Sequence, residues 1–180
     1  MPVTLDDLEL VCAEDGRYDT SQFDCDDADL NDFVKADCHR YQNQWLSHTK
    51  LAFLKSDHSL VGFITLLSDS IVLETKEKKH LFDFHKQVYN FPALKIARLG
   101  VQAGLQRGGI GTSLLTYTIG LAFRMNTEMS IGCRFITVDA YPKSVSWYEK
   151  RKFIFNLAKP GKLNRSMRYD LLGTPTVVAN

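Results

Sequence analysis

The sequence predicts a mixed α/β fold built on a central sheet. Short β-type apolar runs alternate with segments of helical apolar spacing. A glycine-rich turn joins a strand-like run to a strong helix pattern across residues 94–125. The 180 residues are 44% hydrophobic and 24% charged, which excludes disordered and fibrous architectures. The length fits one domain, residues 1–180, and no repeat, low-complexity tract or Pro/Gly/Ser linker divides it.

The first helix is expected to begin near Asp26-Asp27, where acidic residues suit the N-terminal end of a helix dipole. Leu30, Val34, Cys38, Tyr41 and Trp45 follow at three- and four-residue steps, one buried stripe. Two β-type runs, Thr49–Lys55 and Leu60–Leu67, flank Ser56-Asp57-His58-Ser59, which reads as a hairpin turn. Residues 68–92 read as a surface excursion with a short helix. Leu94–Val101 reads as a strand, Gly111–Met125 as a helix with the stripe Leu114, Thr118, Leu121, Ala122 and Met125. Arg134–Ala140 is the next strand, and Ser144–Lys152 a short helix opened by Pro142 and a serine cap. Phe153–Leu157 and Ser166–Leu172 close the chain as a β pair across Lys159-Pro-Gly-Lys162.

Twenty-two Lys and Arg against 21 Asp and Glu give a formal charge of +1, which argues against a protein coated in positive charge. The charges are segregated, however. Eleven acidic residues lie between Asp6 and Asp32 with Arg17 as the single base, whereas 134–168 holds nine basic residues against Asp139 and Glu149. One end could face an anion while the other repels it, but on charge alone two solvated faces of opposite sign are the favoured explanation. Cys12, Cys25, Cys38 and Cys133 form no C-x-x-C pair, so zinc-site spacing is absent; Cys38, His39 and His48 are expected at ordinary structural positions, and no metal is expected. No apolar stretch approaches the ~20 residues that span a bilayer, and the acidic MPVTLDDLEL start is no signal peptide, so a reduced, cytoplasmic protein without a membrane partner is expected.

The chemistry concentrates at Gln102–Gly111, with four glycines in ten positions. Glycine lets a backbone approach a ligand closely and adopt positive φ. The first-turn N–H groups of the next helix, with its dipole, make an anion site suited to a phosphate. Spacing narrows the ligand. A nucleotide-triphosphate loop would need lysine after Gly109, where Ile110 stands, and a dinucleotide fingerprint would need a third glycine at Leu114. Gln106-Arg-Gly-Gly109-Ile-Gly111 instead fits [QR]-x-x-G-x-[GA].

In that pattern the sequence resembles the GCN5-related N-acetyltransferase (GNAT) family, whose glycine turn cradles the pyrophosphate of acetyl-CoA. A second match is Ser144-Val-Ser-Trp-Tyr148-Glu-Lys-Arg-Lys-Phe153 after Val138-Asp139-Ala140, which departs from the family where Lys152 replaces a usual glycine. A third joins Phe23-Asp-Cys-Asp, Leu30-Asn-Asp-Phe33, Tyr41-Gln-Asn-Gln, Thr49 and Tyr89-Asn-Phe-Pro92 through Ala97-Arg-Leu-Gly-Val101. It is similar to the branch of toxin–antitoxin toxins that acetylate aminoacyl-tRNA. The resemblance covers roughly residues 20–157.

The resemblance implies a GNAT-type mixed sheet with splayed central strands forming an acetyl-CoA cleft. It implies that Leu99, Gly100 and Val101 pair with the pantetheine arm, the Val101 N–H facing the acetyl oxygen. Gln106, Arg107, Gly108, Gly109, Ile110, Gly111 and Thr112 would hold the diphosphate, with Ser144 also on the cofactor side. Tyr148 would be the general acid, a phenol of pKa about 10 that can protonate the departing thiolate. Spacing alone leaves Trp147 and Tyr148 equal; the resemblance selects Tyr148. Arg98, Lys143 and Arg151 are the expected acceptor-side cations, with Lys150, Lys152, Lys159, Lys162, Arg165 and Arg168 available for RNA phosphates. Asp139 and Glu74 are weighed as general base and neither is assigned.

The expected activity is thus acetyl transfer from acetyl-CoA to a primary amine, foremost the α-amino group of an aminoacyl-tRNA, with an antitoxin and a second copy of the chain as further partners. A small-molecule or peptide amine is the alternative acceptor. A non-catalytic acyl-CoA sensor is a third reading, because a fold alone does not establish activity.

Overall fold

Asp57 organises the first hairpin. Its carboxylate accepts from the Ser59 backbone N–H at 3.0 Å and hydroxyl at 2.7 Å, while His58 takes φ +56°. The turn joins β2 (His48–Leu54) to β3 (Leu60–Ile71) as antiparallel neighbours, with a bulge between Ala52 and Phe53. β3 therefore runs four residues beyond the expected Leu67. A strand absent from the sequence reading, β1 (Leu8–Cys12), pairs antiparallel with β2 from Leu8↔Leu54 to Cys12↔Lys50.

This computed structural model describes residues 1–14, 17–83, 88–158 and 163–173. They form two compact units, one of Met1–Leu67 with Ile96–Gly120 and the other of Ser68–Lys95 with Leu121–Asn180. β3 and β4 (Phe91–Val101) each contribute residues to both. With β5 (Phe135–Ala140), β6 (Ile154–Phe155) and β7 (Arg165–Asp170), the strands order as β1-β2-β3-β4-β5-β7-β6 in a mixed seven-stranded sheet, the α/β class that the sequence predicts.

In the first unit, the helical run 28–43 is α1 (Ala28–Asp32), a π turn over Phe33–Asp37 and α2 (Cys38–Asn43). Asp27 caps it, its carboxylate accepting the Leu30 N–H at 3.3 Å. The π turn inserts a residue and rotates the buried face. Phe33, Val34 and Cys38 are buried, whereas Trp45 falls past the helix end at φ +58° and is 89% exposed. The expected stripe is thus correct through Cys38; Tyr41, at 40% exposure, and Trp45 leave it. The core gathers Ala13, Phe23, Cys25, Phe33, Val34, Cys38, Leu51 and Phe63, with Phe23 edge-on to Phe63 at 5.6 Å.

α4 (Ile110–Thr127) follows the glycine turn. Of its expected stripe, Leu114, Thr118 and Ala122 are buried and Leu121 and Met125 half-buried. The fully buried Thr118 hydroxyl offsets its desolvation by donating to the Leu114 carbonyl at 3.0 Å.

In the second unit, residues 68–92 are mostly ordered structure: the end of β3, α3 (Thr75–Leu81) and the start of β4, with 84–87 outside the described residues. α3 opens with a capping box in which the Glu74 N–H donates to Glu77 at 2.8 Å. Phe82, just past α3, stacks on Phe91 at 4.7 Å, and Phe91 meets Phe135 edge-on. β5 (Phe135–Ala140) pairs antiparallel with β7 (Arg165–Asp170), and the two-residue β6 (Ile154–Phe155) lies on the other side of β7. The closing β pair is therefore as expected, though shorter; residues 159–162 lie outside the described residues.

Candidate active site

Eleven of the expected site residues, Arg98 to Val101 and Gln106 to Thr112, lie in the first unit; Lys143, Ser144, Tyr148 and Arg151 lie in the second. Each group has its own geometry.

The glycine turn leaves β4 through two backbone bonds, Gln102 N–H to the Val61 carbonyl (2.9 Å) and Ala103 N–H to the Asp24 carbonyl (2.7 Å). Gly104, Arg107 and Gly109 take φ of +81°, +68° and +100°. The Gln106 amide donates to the Cys25 carbonyl at 3.2 Å, so that side chain anchors the turn and leaves ligand contact there to the backbone. Arg107 is exposed on the turn. Ser113 N–H then donates to the Gly109 carbonyl at 3.0 Å as α4 begins. The Ile110, Gly111 and Thr112 amides occupy the first turn of this 18-residue helix, its positive dipole end.

One participant was not foreseen. The Val3 N–H donates to the Gly108 carbonyl at 2.7 Å, and the Ser113 hydroxyl donates to the Val3 carbonyl at 3.0 Å. A Cβ at position 109 would lie 2.6 Å from the Val3 carbonyl oxygen. The bareness of Gly109 therefore admits the chain's own amino-terminal segment, where sequence spacing assigned it to a ligand. No local signal marks such a pairing, because Val3 and Gly108 are more than a hundred positions apart.

Along β4, Gly100 is required by Phe63, whose Cε1 would sit 2.5 Å from an added Cβ. Arg98 lays its guanidinium 3.8 Å over the Phe33 ring, with Tyr41 5.9 Å away. Its Nε is buried without a hydrogen bond among the described residues. The cation is thus held by an aromatic face and retains unused donors.

In the second unit a 3₁₀ turn (Pro142–Ser144) leads into α5 (Val145–Glu149). Ser144 occupies the N-cap position but makes no side-chain capping bond there, contrary to the expected serine cap. Tyr148 is 6% exposed, edge-on to Trp147 at 4.8 Å and to Phe153 at 5.0 Å. Burial pushes its phenol well above the ordinary tyrosine range, which keeps the proton on the oxygen. α5 ends in a Schellman motif: Phe153 N–H donates to the Tyr148 carbonyl (3.1 Å), Lys152 N–H to the Glu149 carbonyl (2.9 Å), and Lys152 adopts φ +67°. Lys152 thus takes, where the resembled pattern carries glycine, the left-handed conformation glycine would favour.

Arg151 stacks 3.9 Å over Trp147 and donates to the Trp147 carbonyl at 2.9 Å. Lys143 lies exposed, 5.7 Å from the Tyr141 ring. Lys150, Lys152 and Arg165 are exposed, whereas Lys159 and Lys162 lie outside the described residues. Arg168 must leave the list of RNA-facing cations. It is 2% exposed, pairs with Glu77 and donates to the Phe155 carbonyl. Of the carboxylates weighed as base, Asp139 is paired with Lys95 at 2.6 Å and Glu74 begins α3. Cys38, once set beside His39 and His48, donates to the Val34 carbonyl.

No family model matches the sequence. Solved structures do. AtaT complexed with acetyl-methionyl-tRNAfMet superposes with a TM-score of 0.75 at 20% identity, over 91% of this chain and 95% of that one. A tyrosine-to-phenylalanine mutant of KacT gives 0.76 at 18%, over 92% and 96%. A tyrosine-to-phenylalanine mutant of the toxin AtaT, bound to the C-terminus of the antitoxin AtaR and acetyl-CoA, gives 0.71 at 19%, over 93% and 95%. The architecture of this chain is the GNAT fold of the AtaT and KacT structures.

Proposed function

We propose that the protein is an acetyl-CoA-dependent N-acetyltransferase whose acceptor is the α-amino group of an aminoacyl-tRNA, acting as a toxin restrained by an antitoxin. The observation that carries this reading is the glycine turn at the end of β4, which opens the positive end of α4 in a chain with the fold of AtaT. AtaT is known with acetyl-methionyl-tRNAfMet, and in another structure with antitoxin and acetyl-CoA. We take residues 1–180 to act as one catalytic domain, cytoplasmic and homodimeric.

In this reading the amides from Gln106 to Thr112, with Arg107, hold the cofactor diphosphate. Leu99, Gly100 and Val101 pair with the pantetheine arm, with Ser144 contributing on the cofactor side, and the Val101 N–H stabilises charge that develops on the acetyl oxygen. The acceptor nitrogen attacks the thioester carbonyl and sheds one proton to solvent, the C–S bond breaks, and the Tyr148 phenol gives its proton to the departing sulfur and regains one from solvent. Arg98, Lys143 and Arg151 face the acceptor RNA. No strong base is needed, since an α-amino group of pKa about 7.7–8.0 is partly neutral at pH 7.

The test is thiol release from acetyl-CoA with charged tRNA, uncharged tRNA and simple amines. Release that requires charged tRNA is expected. Equal release with simple amines alone would replace the acceptor by a small molecule, and CoA binding with every acceptor silent would remove the catalytic reading.

A further inference from the structure

Among the described residues outside the glycine turn and the Tyr148 helix, Cys12 and Lys50 place a thiol and an amine in contact. Cys12 and Lys50 are directly opposed in the β1–β2 ladder, so their side chains emerge on the same face of the sheet. The Lys50 Nζ donates to the Cys12 sulfur at 3.0 Å. Desolvation disfavours the Lys50 charge, yet its bond to Cys12, with smaller contributions from Tyr117 and Tyr18, leaves the amine above its ordinary value.

Cys12 also differs from the other thiols. Cys25, Cys38 and Cys133 are buried, and burial raises each of them, the mark of inert structural cysteines. Cys12 is the partly exposed one of the four. Oxidation of cysteine follows access, and a sulfenic acid condenses with a nitrogen held against it. At this position that nitrogen is a side-chain amine already at contact distance, on the neighbouring strand.

We propose that Cys12 and Lys50 form a peroxide-responsive site in which oxidised Cys12 is captured by the Lys50 amine as a covalent sulfur–nitrogen link. In the first step the Cys12 sulfur attacks hydrogen peroxide. The O–O bond breaks, the sulfur loses two electrons and becomes S–OH, and one water is released. In the second, Lys50, having given its ammonium proton to solvent, attacks that sulfur. The S–N bond forms, the S–O bond breaks, and the amine proton leaves with the hydroxyl as a second water. External thiol reverses the link, returning the free thiol and amine and forming a disulfide of the reductant. The link fixes the edge strand β1 to β2.

The experiment treats the full chain with hydrogen peroxide and maps peptides by mass spectrometry before and after dithiothreitol. A Cys12–Lys50 cross-linked pair is expected, lighter than its parts by two hydrogens, with trypsin cleavage after Lys50 blocked and restored by reductant. Lys50→Arg retains the cation beside the sulfur but cannot form the link, so its Cys12 should pass to sulfinic acid severalfold faster. Cys12→Ser should abolish the linked pair. Sulfinic acid forming at equal rates in the parent and Lys50→Arg, with no linked peptide, overturns the proposal. Neither result depends on acetyltransferase activity.

Discussion

The Phe153 backbone N–H bonds to the carbonyl of Tyr148, and the two aromatic rings meet edge-on with centroids 5.0 Å apart. One residue pair thus closes the end of α5 and seats the candidate acid. Lys152 stands between them at φ +67°. A left-handed conformation costs a side-chain-bearing residue about 1–2 kcal/mol, and glycine escapes that strain at some cost in chain entropy. Lys152→Gly should therefore stabilise the protein by about 1 kcal/mol, raising Tm by about 2–4 °C at this chain length. Thermal unfolding measures it, and an unchanged or lower Tm would contradict the strain argument.

Tyr148→Phe retains the ring packing and removes the proton. Acetyl transfer should fall by about 10²–10⁴ with acetyl-CoA affinity unchanged. A variant as active as the parent would remove Tyr148 from the chemistry.

The same burial sets a pH dependence. The native phenol is held above the ordinary tyrosine value, while the unfolded chain's phenol ionises near pH 10. Above that pH the unfolded state binds fewer protons, so the contribution of Tyr148 to stability is complete below pH ~10 and declines above it. Denaturant unfolding across pH 8–11 should show the parent losing stability relative to Tyr148→Phe above about pH 10. Parallel curves would refute the shift.

Gly109→Ala meets two obstacles, φ +100° and the Val3 carbonyl at 2.6 Å. It should destabilise the fold by about 1–3 kcal/mol and weaken acetyl-CoA binding as the turn deforms. Chemical denaturation and CoA titration report the two separately. A neutral substitution would mean that Val3 is displaced at no cost.

Glu77 ties α3 to β7 through buried Arg168. Removing only the carboxylate, as Glu77→Ala, strands a buried cation and should cost about 3–5 kcal/mol; replacing both members by apolar residues should recover most of it. A small loss in the single variant would show that the guanidinium finds water.

The legible parts of the sequence were those with local signatures. The glycine spacing placed the turn and α4, and Ser56–Ser59 gave the hairpin. Trp45 was misassigned because α2 ends at Asn43 and Trp45 takes φ +58° beyond it, so the helical spacing no longer applies there. Arg168 counted as a surface cation because its partner Glu77 is 91 positions away. β1 has only five residues, of which Leu8 alone is fully buried, too little contrast for a strand pattern. Val3 was invisible for the reason that hid Arg168: its role exists only after folding brings distant backbone together.

That Val3 contact bears on how the protein should be handled at the bench. A purification handle fused ahead of Met1 would emerge three residues from the bond to Gly108, beside the turn whose amides we propose as the cofactor's diphosphate site. Flexible or charged tags there would compete for those amides under that proposal, or pull Val3 away from Gly109. Kinetic and CoA-binding measurements therefore call for protein released from any amino-terminal fusion, with the tagged form kept as a deliberate probe of how firmly the segment holds the turn.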